Sequence, residues 1–300
     1  MTWKFHGLTI VGFKLSDPRV FMSCVLVVYT FVGETFLSFD HGWGQIILAL
    51  FVACSLDMLL NYWKTRQIVL PISSVITGFG LGLLIESTAP NILWPYVVAP
   101  ILAIASKSLV RIQKRHIFNP SNFGLTVLLV LFPAAVTTTS AQWTGSLLIV
   151  AIIFLVGCFS AFRVSRLDLV LSFIGGFCVM AVLEENIKHN GFALAYGPLL
   201  GAGLQLFVLS MITDPKTTPN TRGQRILFGL AIAVIDGVLR LANNQYSPFI
   251  ALFIVSACFP LYQTVVEAIQ ARWSEPEARS DETRQVQGAQ ASVEAAETAH

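Results

Sequence analysis

The chain has 300 residues, 55% of them hydrophobic and only 12% charged, with a mean hydropathy of +0.70. Globular chains average about 25% charged, so this one carries more apolar surface than a single soluble core can hide. A net charge of +2 offers no polyanion-binding surplus, so nucleic-acid partners are excluded. The five cysteines stand singly inside apolar runs with no Cys-x-x-Cys, which argues for packing and against a disulfide scaffold or a zinc ribbon and leaves open only a two-cysteine site bridging distant runs. The class predicted is an all-α polytopic membrane protein.

In chain order, residues 1–17 lack a basic stretch, short apolar run and small-residue cleavage site, so 1–19 reads as a cytoplasmic leader and not a signal peptide. Apolar runs long enough to cross about 30 Å of hydrocarbon fall at 20–38, 45–62, 69–86, 92–110, 122–136, 143–161, 167–184, 192–212, 225–242 and 247–268. These predict about ten transmembrane helices over residues 20–268. Residues 273–300 are rich in Glu, Ala, Gln, Ser and Arg and hold one aromatic residue, Trp273, so they are expected to form a disordered cytoplasmic tail.

The basic residues test this count. Lys4, Lys14 and Arg19 precede the first run, Lys64 and Arg66 follow the second, and Lys107, Arg111, Lys114 and Arg115 surround the end of the fourth. Arg163, Arg166, Lys216, Arg222, Arg225, Arg272, Arg279 and Arg284 continue the alternation, leaving only Lys188 and Arg240 for the other side. The positive-inside rule then predicts a multi-pass protein of the cell inner (plasma) membrane with both termini cytoplasmic.

An internal repeat divides the runs. FNPSNFGLTVLLVLFP (Phe118 to Pro133) is echoed by NQYSPFIALFIVSACFP (Asn244 to Pro260), the second Phe-Pro lying 127 residues after the first, and TAPN (88–91) is echoed by TTPN (217–220). Repeats at about 20–136 and 143–268 with five runs each insert in opposite senses, giving an inverted repeat. Function in such bundles is sought near the midplane, at interrupted helices.

Candidate residues follow from that expectation. Run three carries Ser73, Ser74 and Thr77, then Gly78, Gly80 and Gly82; run eight carries Tyr196, Gly197, Pro198, Gly201 and Gly203. Either these are interrupted helices lining a central site, with Ser74, Thr77, Gly78, Gly80, Tyr196 and Gly197 as ligand-binding candidates, or they serve tight helix packing. Ionisable groups in apolar runs are costly, so Asp57 and Glu184 are read either as a symmetric pair of pathway carboxylates or as interfacial helix ends. Asp236 and Arg240, spaced i,i+4, read as a local ion pair. In HIFNPSNFG and TDPKTTP, Asn119 and Asp214 are expected at the same end of the molecule as helix caps. With Lys216 and Lys107 they are also candidates for lining the mouth of an ion path. No histidine pairs with another His or Cys at ligand spacing, so no metal site is read.

SSVITGFGLGLL with TAPN, Lys107, FNPSNFG, Phe132-Pro133, and MITDPKTTPNTRGQRILFG (211–229) together resemble the NqrB/RnfD membrane-subunit superfamily (NQR2/RnfD/RnfE), over about residues 68–262. The resemblance implies a ten-helix inverted-repeat fold related to urea and ammonium channels. It also implies service in flavin-dependent complexes that couple electron transfer to Na⁺ or H⁺ translocation. One departure stands out. Members of that superfamily attach FMN by a phosphoester to the threonine of an SGAT-type motif between the FNP and TDP segments, and here that interval offers only TTTSA (137–141) and WTGS (143–146). Covalent FMN is therefore not expected; a noncovalent isoalloxazine would stack between Tyr196 and the faces of Gly78 and Gly80. RHIFNPSNFG and MITDPKTTP are also similar to a shorter branch, the enediyne-cluster UnbU-like proteins.

Three functions remain open on these residues. One is a redox subunit that is not an autonomous enzyme and works with partner subunits, since the chain has neither a strand-bound GxGxxG nor an iron–sulfur cysteine set. The second is a transporter of a small solute, ion or natural product. The third is an accessory membrane protein beside biosynthetic enzymes.

Overall fold

The computed structural model describes residues 2–5, 8–36, 42–89, 91–112, 115–138, 147–266 and 269. The tail at 273–300, the WTGS segment, Lys114 and Thr139 lie outside the described residues. The chain divides into two compact units, Met1–Ala257 and Cys258–His300. In the second, the end of the last helix places the Phe259 ring 5.3 Å from Tyr262, and Thr264 Oγ1 donates to the Pro260 carbonyl. The cavities and the site described below lie in the first.

Each apolar run carries helix: α1 (Pro18–Phe36), α2 (Trp43–Thr65), α3 (Ile72–Leu84), α4 (Pro95–Leu109), α5 (Pro120–Leu131), α6 (Leu147–Arg163), α7 (Leu167–Lys188), α8 (Phe192–Tyr196) with α9 (Ala202–Leu206), α10 (Arg222–Leu241) and α11 (Ser247–Val266). By length and composition α1, α2, α7 and α11 can cross a membrane; α3, α4, α5 and residues 148–163 are shorter apolar helices. The mostly helical, apolar architecture is that of a polytopic membrane protein. Many large apolar side chains point outward, among them Phe51, Trp63, Leu155, Phe162 and Leu194. An aqueous protein would bury such side chains, whereas lipid accepts them.

Run eight is interrupted where its glycines and proline predicted. After α8, residues 197–200 tighten into a 3₁₀ turn at Pro198, Gly201 reverts to extended backbone, and α9 passes into a π-helical turn at Phe207–Met211. Proline lacks the N–H the helix ladder needs, which ends α8 there. Run three, by contrast, is continuous through its glycines and stops at Leu84. The two echoing Phe-Pro stops also differ: α5 ends at Leu131, before Phe132-Pro133, but α11 continues past Pro260 to Val266.

Glycine determines two close crossings. An added Cβ at Gly78 would lie 2.6 Å from the Leu50 Cα, so α3 can approach α2 only as glycine, and Gly124 of α5 likewise meets the Ala99 carbonyl of α4. Helices α2, α3, α4 and α5 thus pack together, α1 packs on α3 and α6, and α7 packs on α10. The core between them holds Tyr96, Phe173, Phe177, Phe207 and Phe228, all essentially fully buried. The ring of Phe207 sits 5.9 Å from Phe173 and 5.4 Å from Phe249, joining α7, the π turn and α11.

Short strands close the helix ends. The leader forms β1 (Thr2–Phe5) and β2 (Leu8–Val11), an antiparallel pair with Thr2 opposite Val11, and β2 runs parallel to β3 (Gln67–Val69) with Ile10 opposite Ile68. β4 (Ile85–Ser87) pairs antiparallel with β7 (Val136–Thr138), and β5 (Arg111–Ile112) with β6 (Arg115–His116).

Candidate functional site

Two cavities adjoin where α3 and α5 begin. The smaller, about 280 Å³, lies among Thr77, Asn119, Ser121, Thr213 and Asp214. The larger, about 640 Å³, lies between the ends of α2 and α4, with Asp57, Lys64, Lys107, Arg111 and His116 in its wall. Ser73, Asp17, Arg19 and Lys216 border both.

Asn119 organises the junction. Its Oδ1 accepts from the Asn122 backbone N–H at 3.1 Å and caps α5, Pro120 supplying the first helical residue, while its Nδ2 donates 3.3 Å to the Met211 carbonyl. Capping accounts for the acceptor, and the donor ties α5 to the π turn that leads into TDPKTTP. Asn122 and Thr126, one helical turn apart, both donate to the Phe249 carbonyl of α11, at 3.1 and 3.3 Å. The two echoing motifs therefore meet in space.

TDPKTTP folds on itself. Asp214 Oδ1 accepts from the Lys216 N–H at 3.0 Å, and its carbonyl accepts from Thr218 Oγ1 at 2.8 Å. Burial raises the Asp214 carboxyl above the ordinary carboxylate range, an effect opposed by the Lys216 N–H and by the charges of Lys216, Lys107 and Arg19. Arg115 reaches the carbonyls of Pro215 and Thr218, and Arg166 donates to Thr218 Oγ1 at 2.9 Å. Beside them Arg225 grips both oxygens of Asp168, its closest contact 2.6 Å. Sequence reasoning assigned these arginines to topology alone; that each also clamps a loop has no signature in spacing, because their partners lie 52 to 103 residues away.

Lys107 is buried, with 8% of its surface exposed, and donates to Ser73 Oγ at 3.2 Å and Ser74 Oγ at 3.1 Å. Of the six path candidates, Asp57, Lys107, Asn119, Asp214 and Lys216 therefore gather around the two cavities. Glu184 does not. It sits near the end of α7 and takes the Arg240 guanidinium at 2.7 Å and the Lys188 ammonium at 3.5 Å, while Arg240 also bonds Asp236 at 3.2 Å. Asp236 and Arg240 border a third cavity of about 270 Å³, shared with Phe177, Pro198, Gly201 and Phe249. Thr138, beyond the C-terminal end of α5, lines it too, so α5 runs from the first cavity to the third. The Asp236–Arg240 pair expected from i,i+4 spacing is present, but within a larger network.

The ligand-binding candidates are divided among other tasks. Ser74 holds Lys107, and Thr77 lines the smaller cavity and donates to the Ser73 carbonyl. The face of Gly78 is filled by Leu50, Gly80 faces Ser121, and the Tyr196 hydroxyl donates to the Cys178 carbonyl at 3.2 Å. Among the described residues, nothing lies within 4 Å of where a Cβ would stand at Gly197. The threonines that can be placed in TTTSA, Thr137 and Thr138, lie in β7 opposite Glu86 and Ile85, and Thr137 Oγ1 accepts from the Tyr246 hydroxyl at 3.3 Å. Among the described residues no three His, Cys, Asp or Glu side chains gather.

Parts of the chain are similar to known proteins. Residues 139–271 match the NQR2, RnfD, RnfE family. A protein of Alcanivorax borkumensis named as a subunit of the ion-translocating oxidoreductase complex is 34% identical over 125 residues, covering 39% of this chain and 35% of that protein. The protein of the same name from Shewanella piezotolerans is 33% identical over 147 residues, covering 47% and 41%. The matched part of the chain thus spans well under half the length of these relatives. The resemblance to the NqrB/RnfD superfamily read from the motifs is borne out, and the family match includes TDPKTTP, which closes the smaller cavity against Asn119.

Proposed function

We propose that this chain is a membrane subunit of a redox-driven ion-translocating complex, reliant on partner subunits for its electrons. The observation that carries the reading is the matched segment, whose TDPKTTP loop builds one wall of a polar cavity with Asn119 opposite. We place the mouth of the ion path there. Hydroxyl, amide and carboxylate oxygens from Thr77, Asn119, Ser121, Thr213 and Asp214 are the hard donors that a proton or small cation accepts. Lys216 and Arg19 are balanced by Asp214 and Asp17 in the wall, so the cavity does not repel a cation outright. Glu184, with Asp236 and Arg240, would stand at the far end of the path. In this reading the bundle is two inverted repeats of five helices in the inner membrane, with leader, basic ends and tail on the cytoplasmic side. That topology is supported by the distribution of Lys and Arg and by the corresponding packing of α2 on α4 and α7 on α10.

A flavin would supply one-electron chemistry to such a subunit, but the residues present do not fit it where the sequence suggested. Leu50 fills the Gly78 face, and Thr137 is engaged in a strand. The redox chemistry is therefore left to the partner subunits. That misfit favours a second reading, the shorter UnbU-like branch, in which the same cavity serves a transporter or an accessory protein of a biosynthetic pathway.

The test is co-expression with its neighbouring genes, purification in mild detergent and reconstitution into vesicles. The expected result is co-purifying redox subunits and reductant-driven ion uptake that Asp214→Asn lowers about tenfold without loss of assembly. A chain that purifies alone, with vesicles that take up no ion on reduction, would overturn the redox reading in favour of the second.

A further inference from the structure

The larger cavity carries charge beyond the Arg19 and Lys216 that it shares with the mouth of the ion path. Lys14, Arg19, Lys64, Lys107, Arg111 and Lys216 line it against two carboxylates, Asp17 and Asp57. Asp17 is already taken by Arg19 at 2.6 Å. Among the described residues none of the other five cations has a carboxylate within 4 Å: Lys64 donates to Ser108 Oγ at 3.2 Å, Arg111 Nε to the Lys107 carbonyl, and Lys107 to two serine hydroxyls.

Topology explains cations in loops, and helix C-termini favour Lys64 and Lys107 in the last turns of α2 and α4. Neither explains Lys107. An ammonium that is nine-tenths buried ordinarily has an anion beside it, and here its partners are neutral, leaving one of its three N–H groups without a protein acceptor. His116 Nδ1, in the same wall, is buried with no partner, and burial together with Arg111, Lys216 and Lys107 holds that imidazole neutral down to about 4. The wall therefore has an ammonium N–H to spare and a surplus of positive charge.

We infer that the larger cavity is a binding site for a phosphate group carried on a larger molecule. A multiply charged oxyanion matches several convergent cations better than a carboxylate does. The volume, about 640 Å³, exceeds that of a bare phosphate, and the wall includes the apolar Phe13, Leu60, Leu70 and Ile72 for the rest of the ligand. The phosphate comes either on a soluble phosphomonoester or on an anionic lipid headgroup. This site borders the proposed mouth of the ion path and shares Asp17, Arg19, Ser73 and Lys216 with it, but its test requires no redox activity, so it can fail without the function proposed above failing.

The purified chain in neutral detergent is titrated with glycerol 3-phosphate at constant ionic strength, with chloride as the control, while binding is followed by thermal unfolding. In parallel it is placed in nanodiscs of phosphatidylcholine with or without phosphatidylglycerol, and retained lipid is read by native mass spectrometry. A soluble ligand predicts stabilisation by glycerol 3-phosphate; a lipid ligand predicts selective retention of phosphatidylglycerol. In whichever arm binds, Lys107→Gln weakens binding about tenfold or more, and Lys107→Arg retains most of it. Arg111→Gln with Lys216→Gln, at the rim, gives the same direction of change should Lys107→Gln fail to fold. Neither probe binding better than its control, or charge-removing variants binding as wild type does, would overturn the inference.

Discussion

Two places in this bundle are built alike and finished differently. In each, one helix brings an acid and a packed neighbour brings a cation from its last turn: Asp57 of α2 with Lys107 of α4, and Glu184 of α7 with Arg240 of α10. At the second, Arg240 is closed between Glu184 and Asp236 and lies 4.0 Å over the Phe177 ring. At the first, Lys107 faces two hydroxyls and a cavity. Arg240 also borders a cavity, so the difference lies in the partners: a cation paired with two of its own protein's carboxylates is structural, whereas one that faces a cavity with only hydroxyl partners is available to something that enters.

The comparison breaks most visibly in stability. Arg240→Ala strands Asp236, which is 1% exposed, without its counter-charge and leaves Glu184 only Lys188 at 3.5 Å, a change expected to cost about 3–5 kcal/mol. Lys107→Met removes a charge that no carboxylate contacts, although Asp57 and Asp214 act on it from a distance, and is expected to cost less than Arg240→Ala does. Denaturant unfolding of both variants in detergent checks this. Equal losses would mean that Lys107 is as structural as Arg240.

A smaller effect tests the junction beside the open site. Asn119→Ala removes the α5 cap and the bond to Met211, expected to cost about 1–2 kcal/mol. If stability falls and per-molecule ion uptake is unchanged, capping is the whole role of Asn119. A fall in uptake after correction for folded protein would place it in the path.

The smallest effect is a pH dependence confined to the open site. His116 has its pKa lowered from the ordinary 6.5 to about 4, so between those values the unfolded chain binds the extra proton. Stability from this group is complete above about 6.5 and is lost as pH falls toward 4. The thermal midpoint should drop by a few degrees from about pH 7 to about pH 4.5, and His116→Asn should flatten part of that slope. A bound phosphate would oppose the drop, because an anion favours the imidazolium.

Much of the scaffold was legible because it rests on local rules. Ten apolar runs each became helix, Pro198 and its glycines interrupted run eight, and Asn119 before Pro120 capped α5, since hydropathy, a missing N–H and a cap are properties of neighbouring residues. The glycines of run three were harder. Packing and ligand access ask for the same residue, and only the position of Leu50 shows that α2 fills the Gly78 face. The small sheets escaped notice altogether: a leader strand that pairs with residues 67–69 carries no periodicity of its own over three or four residues.

Composition and order of residues alone thus determined that this chain lives in lipid, along which stretches its helices form, and which superfamily its motifs resemble. The tertiary structure decided how the charges are used. The sequence offered Arg115 only as a topology marker, Arg240 as half of an i,i+4 pair and Lys107 as a path candidate; the fold shows Arg115 clamping a loop, Arg240 held by a second acid, Glu184, and Lys107 facing a cavity with hydroxyl partners. Charge acts through space, and whether a carboxylate stands within a few ångströms depends on which helices pack together, a matter settled by close crossings such as Gly78 on Leu50 and Gly124 on Ala99.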